Sequence, residues 1–260
     1  MKHTLTFVLA FMATAFISKA QLYLGGKAGL NFANVTGSFI APTTFNTKIG
    51  LNGGVTLKYN FINTFGLQMD VLYSKMGSNS KNVTVYEDEI DGLITTETTE
   101  KIYDFTYLQV PLYVNWEIPI NSEQLTPYRA SENIFSIHVT GGGFFGYGLA
   151  NMNSTTIKTT TIDVDGNTEI LPTTKASGAN KGFSPIDFGA IFGVGFSFKL
   201  SDVGRITLDG RYLLGLGNFN STAYRDESFP SILPIFPVMQ NRAPQVQIGY
   251  IHRITKPKRW

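Results

Sequence analysis

The chain has no cysteine. That removes disulfides, thiolate zinc sites and thiol nucleophiles from consideration. It also lacks a surplus of charge. The formal net charge is +2, and residues 1–20, which hold Lys2 and Lys19 and no acid, account for that excess. The basic footprint of a nucleic-acid binder is therefore missing. No stretch after the N-terminus approaches the ~18 uninterrupted apolar residues of a spanning helix. Mean hydropathy is +0.01, as in many soluble proteins. A transmembrane barrel gives the same value, because only alternate residues face lipid. What the chain has in quantity is glycine (26), phenylalanine (20) and tyrosine (12), a composition that suits strands with aromatic girdles.

The N-terminus reads as a targeting segment. Lys2 and His3 are polar, residues 5–17 are an apolar run, and Ser18-Lys19-Ala20 puts small residues at −3 and −1 of a cut before Gln21. This spacing predicts a cleavable signal peptide over 1–20 and export. The expected division is signal peptide 1–20, a barrel domain over 21–255 and a basic tail, 256–260.

The stretch 185–217 carries the clearest periodicity. Ile186, Phe188, Ala190, Phe192, Val194, Phe196 and Phe198 alternate with Asp187, Gly189, Ile191, Gly193, Gly195, Ser197 and Lys199. After a short turn over 200–204, Ile206, Leu208, Tyr212, Leu214 and Leu216 alternate with Arg205, Thr207, Asp209, Arg211 and Gly215. A period of two is a strand with two different faces. Each strand here runs to about twice the ~5–6 residues usual in soluble sheets. That is close to the ~9–11 residues of a tilted membrane-spanning strand.

The same unit recurs along the chain, and strands are expected at 22–32, 47–60, 65–76, 101–118, 134–149 and 242–254, with the hairpin supplying the sixth and seventh. Pro111 cannot donate to a ladder, so a bulge or local break is expected there. Expected loops are 33–46, 77–100, 151–184 and 218–241. Residues 61–64 and 200–204 are tight connections, and 119–133 is a longer, irregular one. Long and short connections alternate, as they do when long loops face outside and short turns face the periplasm. The fold class that follows is all-β: an eight-stranded antiparallel up-and-down transmembrane β-barrel in the cell outer membrane. A soluble lipocalin-type barrel is the rival. Glycine at many polar-face positions suits a crowded lumen better than a solvated surface.

Four segments, Lys-Ala-Gly-Leu-Asn-Phe at 27–32, Val-Leu-Tyr-Ser-Lys-Met-Gly at 71–77, Tyr-Leu-Gln-Val-Pro-Leu at 107–112 and Arg-Tyr-Leu-Leu-Gly-Leu at 211–216, resemble the PorT-type outer-membrane β-barrel family in order and spacing. The resemblance implies an eight-stranded outer-membrane barrel and, through the name-giving members, a link to type IX protein secretion. It carries no catalytic motif. The chain departs from the pattern at 119–133 and in the tail, 256–260.

Other motifs have plain readings. Residues 141–146, Gly-Gly-Gly-Phe-Phe-Gly, match G-x-G-x-x-G without the strand–helix context of a dinucleotide site. Close approach of neighbouring strands explains these glycines better. His138 falls on the inward face with Ser136 and Thr140; a hydrogen-bonded interior histidine is expected, since one histidine satisfies no catalytic checklist. Asn34, Asn82, Asn153 and Asn220 begin sequons that need no glycan. Glu87, Asp88, Glu89 and Asp91 lack the spacing of an EF-hand and read as a solvated loop.

On the inward faces stand Lys27, Lys58, Lys199, Arg211 and Arg253, against Asp70, Glu117, Asp187 and Asp209. Near-balance predicts a paired structural network, because an unpaired buried charge is costly. An eight-stranded barrel has an interior just wide enough for side chains. The chain is thus expected to be non-enzymatic, without cofactor or metal, and to act through its loops or within a secretion or surface assembly. Its partners would be the bilayer, the outer-membrane assembly machinery and proteins met by the four loops. A small porin-like transporter and an outer-membrane hydrolase are the alternatives.

Overall fold

The computed structural model describes residues 21–37, 44–62, 64–87, 94–123, 132–162, 168–179, 184–218 and 239–255. The expected signal peptide over 1–20, the basic tail, Asp88, Glu89, Asp91 and Asn220 lie outside them. The described residues form ten strands: β1 (Gln21–Gly37), β2 (Thr44–Ile62), β3 (Phe65–Glu87), β4 (Ile94–Glu123), β5 (Glu132–Ile162), β6 (Thr168–Ile170), β7 (Thr174–Ala179), β8 (Ile186–Lys199), β9 (Gly204–Gly215) and β10 (Met239–Arg253).

Eight of them close a ring. The order is β4-β3-β2-β1-β10-β9-β8-β5, and β5 returns to β4. Every pairing in the ring is antiparallel. Closure leaves no edge strand, which is what a sheet in lipid requires. The register follows the alternation in the sequence, since a slip of one residue would exchange the two faces. Leu24, Leu51, Val55, Leu112, Phe192, Val194 and Ile248 are all exposed on the outside. Their neighbours Lys27, Asn52, Thr56, Tyr113, Ile191 and Gln247 are buried within. Large exposed apolar side chains outside and buried polar ones inside invert a soluble barrel. This removes the lipocalin-type alternative.

The strands depart from expectation above the ring. Residues 33–37, 77–87, 94–100 and 151–162 are strand rather than loop, and β6 and β7 add to β5. Threonine, valine and isoleucine dominate these extensions, and β-branched residues favour extended backbone. The lipid-facing alternation ends there, which is why periodicity did not reveal them. Residues 119–123 and 132–133 likewise continue the β4–β5 ladder below the ring, with register shifts at Pro119 and Asn121. The irregular connection is thus shorter than expected. At Pro111 the ladder to β3 passes from Leu112 to Gln109 without a change of register. This is a local break rather than a bulge. The β4–β5 bulge lies at Thr106–Tyr107.

Glycines on the inner face permit close strand approach. A Cβ on Gly142 would lie 2.7 Å from the Tyr113 Cβ, so the glycine run of β5 makes room for a tyrosine on β4. β5 continues as strand through this run, so the dinucleotide reading has no structural context. Asn34, Asn82 and Asn153 lie within β1, β3 and β5, not in loops.

Candidate functional site

The lumen divides into tiers. The central tier is built on Asp70 of β3 and Asp209 of β9. Lys27 Nζ lies 2.9 Å from Asp209 and 3.8 Å from Asp70. Arg211 donates to Asp70 at 2.8 Å and lies 3.5 Å from Asp209. Its Nη2 also donates to the Tyr113 hydroxyl at 2.5 Å, while that hydroxyl donates to Asp70 at 2.8 Å. The guanidinium sits 4.6 Å from the Tyr113 ring centroid. His138 Nε2 meets Asp209 Oδ1 at 2.6 Å, and Thr56 and Gln68 donate to Asp70 at 2.5 and 3.1 Å. All of these side chains are buried. Two cations therefore face two acids, and most acceptor positions are filled by hydrogen bonds. A buried ion pair is tolerated only with that degree of satisfaction.

The periplasmic tier is built on Glu117. Lys58 pairs with one carboxylate oxygen and Arg205 with the other, the latter at 3.2 Å. Ser136 donates at 3.3 Å. Arg205, on the inward face of its strand, joins this tier in addition to the expected members. Its place beside the β8–β9 turn hid a role that only the register across the barrel reveals.

Three expected members lie outside these two tiers. Lys199 is at the periplasmic rim, with Nζ 3.3 Å from the exposed Asp202 in the adjoining turn. Asp187 was expected to meet a cation. Instead it accepts from Asn241 Nδ2 at 2.8 Å, because its neighbours on the flanking chain segments are Gly146 and Gly217. Arg253 is buried near the periplasmic end of β10.

The extracellular end of the lumen is apolar. Ala33, Val35, Met76, Phe105, Tyr107, Phe144, Leu213, Met239 and Ala243 form one buried cluster, with Phe45 and Tyr103 packed against it. Phe105 and Tyr107 lie 6.2 Å apart at a tilt. These residues occupy inward positions in strands read as polar inside. The cluster and the ionic tiers set buried side chains at three heights of the lumen.

His138 Nδ1 is buried without a hydrogen-bond partner, so the His138–Asp209 pair has no serine attached. No group of three or more His, Asp or Glu that could hold a metal exists among the described residues. An apolar groove lined by Phe65, Val114, Trp116, Val139 and Gly141 lies on the lipid-facing wall, where lipid covers it.

Above the ring, β3, β4 and β5 continue as one sheet. β3 reaches Glu87 opposite Ile94, and β4 pairs with β5 up to Ile94–Ile162. Val83, Val85, Ile94, Ile102, Ile162 and Ile170 are exposed on it, Val85 to 60%.

A family model described as outer membrane protein beta-barrel domain matches residues 18–221. Among solved structures the chain is similar to the outer membrane protein OprG from Pseudomonas aeruginosa, with 14% identity, 92% of this chain and 97% of that one covered, and a TM-score of 0.42. It is also similar to Ail, the attachment invasion locus protein of Yersinia pestis, in complex with the heparin analogue sucrose octasulfate: 12% identity, 90% and 99% covered, TM-score 0.35. For Neisserial surface protein A the values are 13%, 90%, 99% and 0.32. No curated protein matches.

Proposed function

We propose, for a chain that belongs to the outer membrane protein beta-barrel domain family and so lies in the outer-membrane bilayer, that it is a closed, non-enzymatic barrel working through the sheet it raises above the membrane. The observation that carries this is the contrast in strand length. β4 and β5 run for 30 and 31 residues, whereas β8, β9 and β10 run for 14, 12 and 15. Crossing the bilayer needs about 9–11 residues per strand. The excess in β3, β4 and β5 is gathered on one side of the ring as a single paired sheet, a construction that spanning alone does not require.

The signal peptide belongs to the same proposal: the expected cut precedes Gln21, the first residue of β1. Insertion would proceed through the outer-membrane assembly machinery. The resemblance to PorT-type barrels makes a type IX secretion complex the first assembly to search for partners. The non-enzymatic reading is part of the proposal; among the described residues His138 Nδ1 has no hydrogen-bond partner.

The test is photo-crosslinking in living cells. A crosslinker at Thr98, on the raised sheet, should capture a protein partner, while one at Val194, on the lipid-facing wall, should not. Recovery of secretion-system components from Thr98 supports the finer assignment, and a different surface partner supports only the docking role. Capture of no protein from any position on the sheet contradicts the proposal.

A further inference from the structure

The sheet raised above the ring has two outer sides, and they differ. On the β5 side, β7 pairs with residues 152–157 and β6 with residues 160–162. On the β3 side, the ladder to β2 ends at Thr44–Lys81, while the ladder to β4 runs on to Glu87–Ile94. Among the described residues, 82–87 therefore pair on one side only. The other side of this strand presents backbone N–H and C=O groups that water or a further strand must satisfy.

Natural sheets blunt such an edge with proline, lysine or a bulge. Residues 82–86 read Asn-Val-Thr-Val-Tyr, without proline or charge. The register to β4 is unbroken from Leu72 to Glu87, so no bulge turns the edge away. Val83 and Val85 are 49% and 60% exposed on one face, and Asn82 and Thr84 are half-buried on the other. The composition favours extended backbone. The outer strand on the opposite side, β7, reads Thr-Lys-Ala-Ser-Gly-Ala, and its lysine and glycine make it the poorer template.

We infer that the 82–87 edge of β3 binds an extended segment of another protein by strand addition, so that the segment continues the raised sheet past β3. This rests on the docking role proposed above and gives it a geometry. Main-chain hydrogen bonds hold the segment, and alternate side chains select it. Its apolar residues fall beside Val83 and Val85, and its hydroxyl or amide residues beside Asn82 and Thr84. A second copy of this chain does not fit the edge. Two copies in one membrane are related by a two-fold axis along the membrane normal. Strands tilted by ~35–45° are then crossed at roughly 70–90°, which permits no ladder between them.

The probe is a peptide of alternating valine and threonine with a lysine at each end, added to the folded protein in detergent micelles. Amide hydrogen exchange is read residue by residue by NMR. Successive N–H groups of a strand point to opposite sides, so in the protein alone every second amide of 82–87 should exchange fast. Peptide at ten times its dissociation constant should slow those amides about tenfold and leave their neighbours unchanged. The same peptide methylated at its backbone nitrogens should protect nothing. Val83→Pro or Thr84→Pro, whichever removes a fast amide, should abolish the protection without changing stability in urea, and in cells it should abolish crosslinking from Thr98. Slow exchange throughout 82–87 in the protein alone overturns the proposal, because the edge is then already paired. Absence of protection, or equal protection by the methylated peptide, overturns it as well. Crosslinking from Thr98 that survives the proline overturns strand addition and leaves the docking role standing, whereas a wild type that crosslinks to nothing removes both.

Discussion

The central and extracellular parts of the lumen are made by the same strands in the same register, yet they are opposite in chemistry. The central tier is Lys27, Asp70, Tyr113, His138, Asp209 and Arg211 in one hydrogen-bonded group. Six residues further along β3 and β5, from Asp70 to Met76 and from His138 to Phe144, the inward positions are Met76, Phe105, Phe144, Leu213 and Met239 in van der Waals contact. An inner face therefore need not be polar because the outer face is apolar. It must only be filled and satisfied. The ionic tier achieves this through paired charges, which are sensitive to loss of a single member. The apolar tier achieves it through packing, which degrades with the volume removed.

That difference ranks the outcomes of mutation. The largest effect is expected for Arg211→Met. It leaves Asp70 and Asp209 facing Lys27 alone, and breaking a buried ion pair costs about 3–5 kcal/mol. Asp209→Asn together with Arg211→Gln should be milder than Arg211→Met. Urea unfolding in micelles measures both, and equal losses would mean that the two charges are not coupled. Phe144→Ala in the apolar tier should cost about 3 kcal/mol through cavity formation, without the rescue by a second change that marks the ionic tier. On the outer wall, Phe192 stacks on Tyr212 with centroids 5.7 Å apart. Phe192→Arg should cost about 2–4 kcal/mol near the bilayer midplane, read as lost folding yield in lipid vesicles. The smallest effect is expected at the exposed Lys48–Asp104 pair. Lys48→Ala should change stability by under about 1 kcal/mol.

The sequence made the wall of the barrel readable and left its ends obscure. From Ile186 to Phe198 every second residue is apolar, and strict alternation specifies both the strand and its facing. The four segments that resemble PorT-type barrels lie in strands of the ring, where that constraint is strongest. Beyond the membrane no such constraint operates. Residues 95–101 and 158–161, rich in threonine, are polar on both faces, so nothing in their pattern separates strand from loop. The apolar cap was hidden for a related reason. Met76, Phe144 and Leu213 lie between outward-facing residues, and nothing in a single strand says that an apolar residue on the inner side has apolar partners there. The ionic members were visible one by one as inward charges. Their grouping was not, because it depends on which residues of β1, β3 and β9 share a height. Arg205 pairs with Glu117 across 88 positions of sequence, and Asp187 lost its expected cation to a glycine on one side and an asparagine two strands away.

A lumen closed by its own side chains conducts no ions. Conductance of the purified wild-type protein in a planar lipid bilayer tests it most directly. No current above that of the bare bilayer is expected, and Phe144→Ala should stay silent as well, because the Asp70–Arg211–Asp209 tier still blocks the path beneath the cap. Steady, reproducible conductance steps from the wild type would contradict a closed lumen and make transport the leading reading of this barrel.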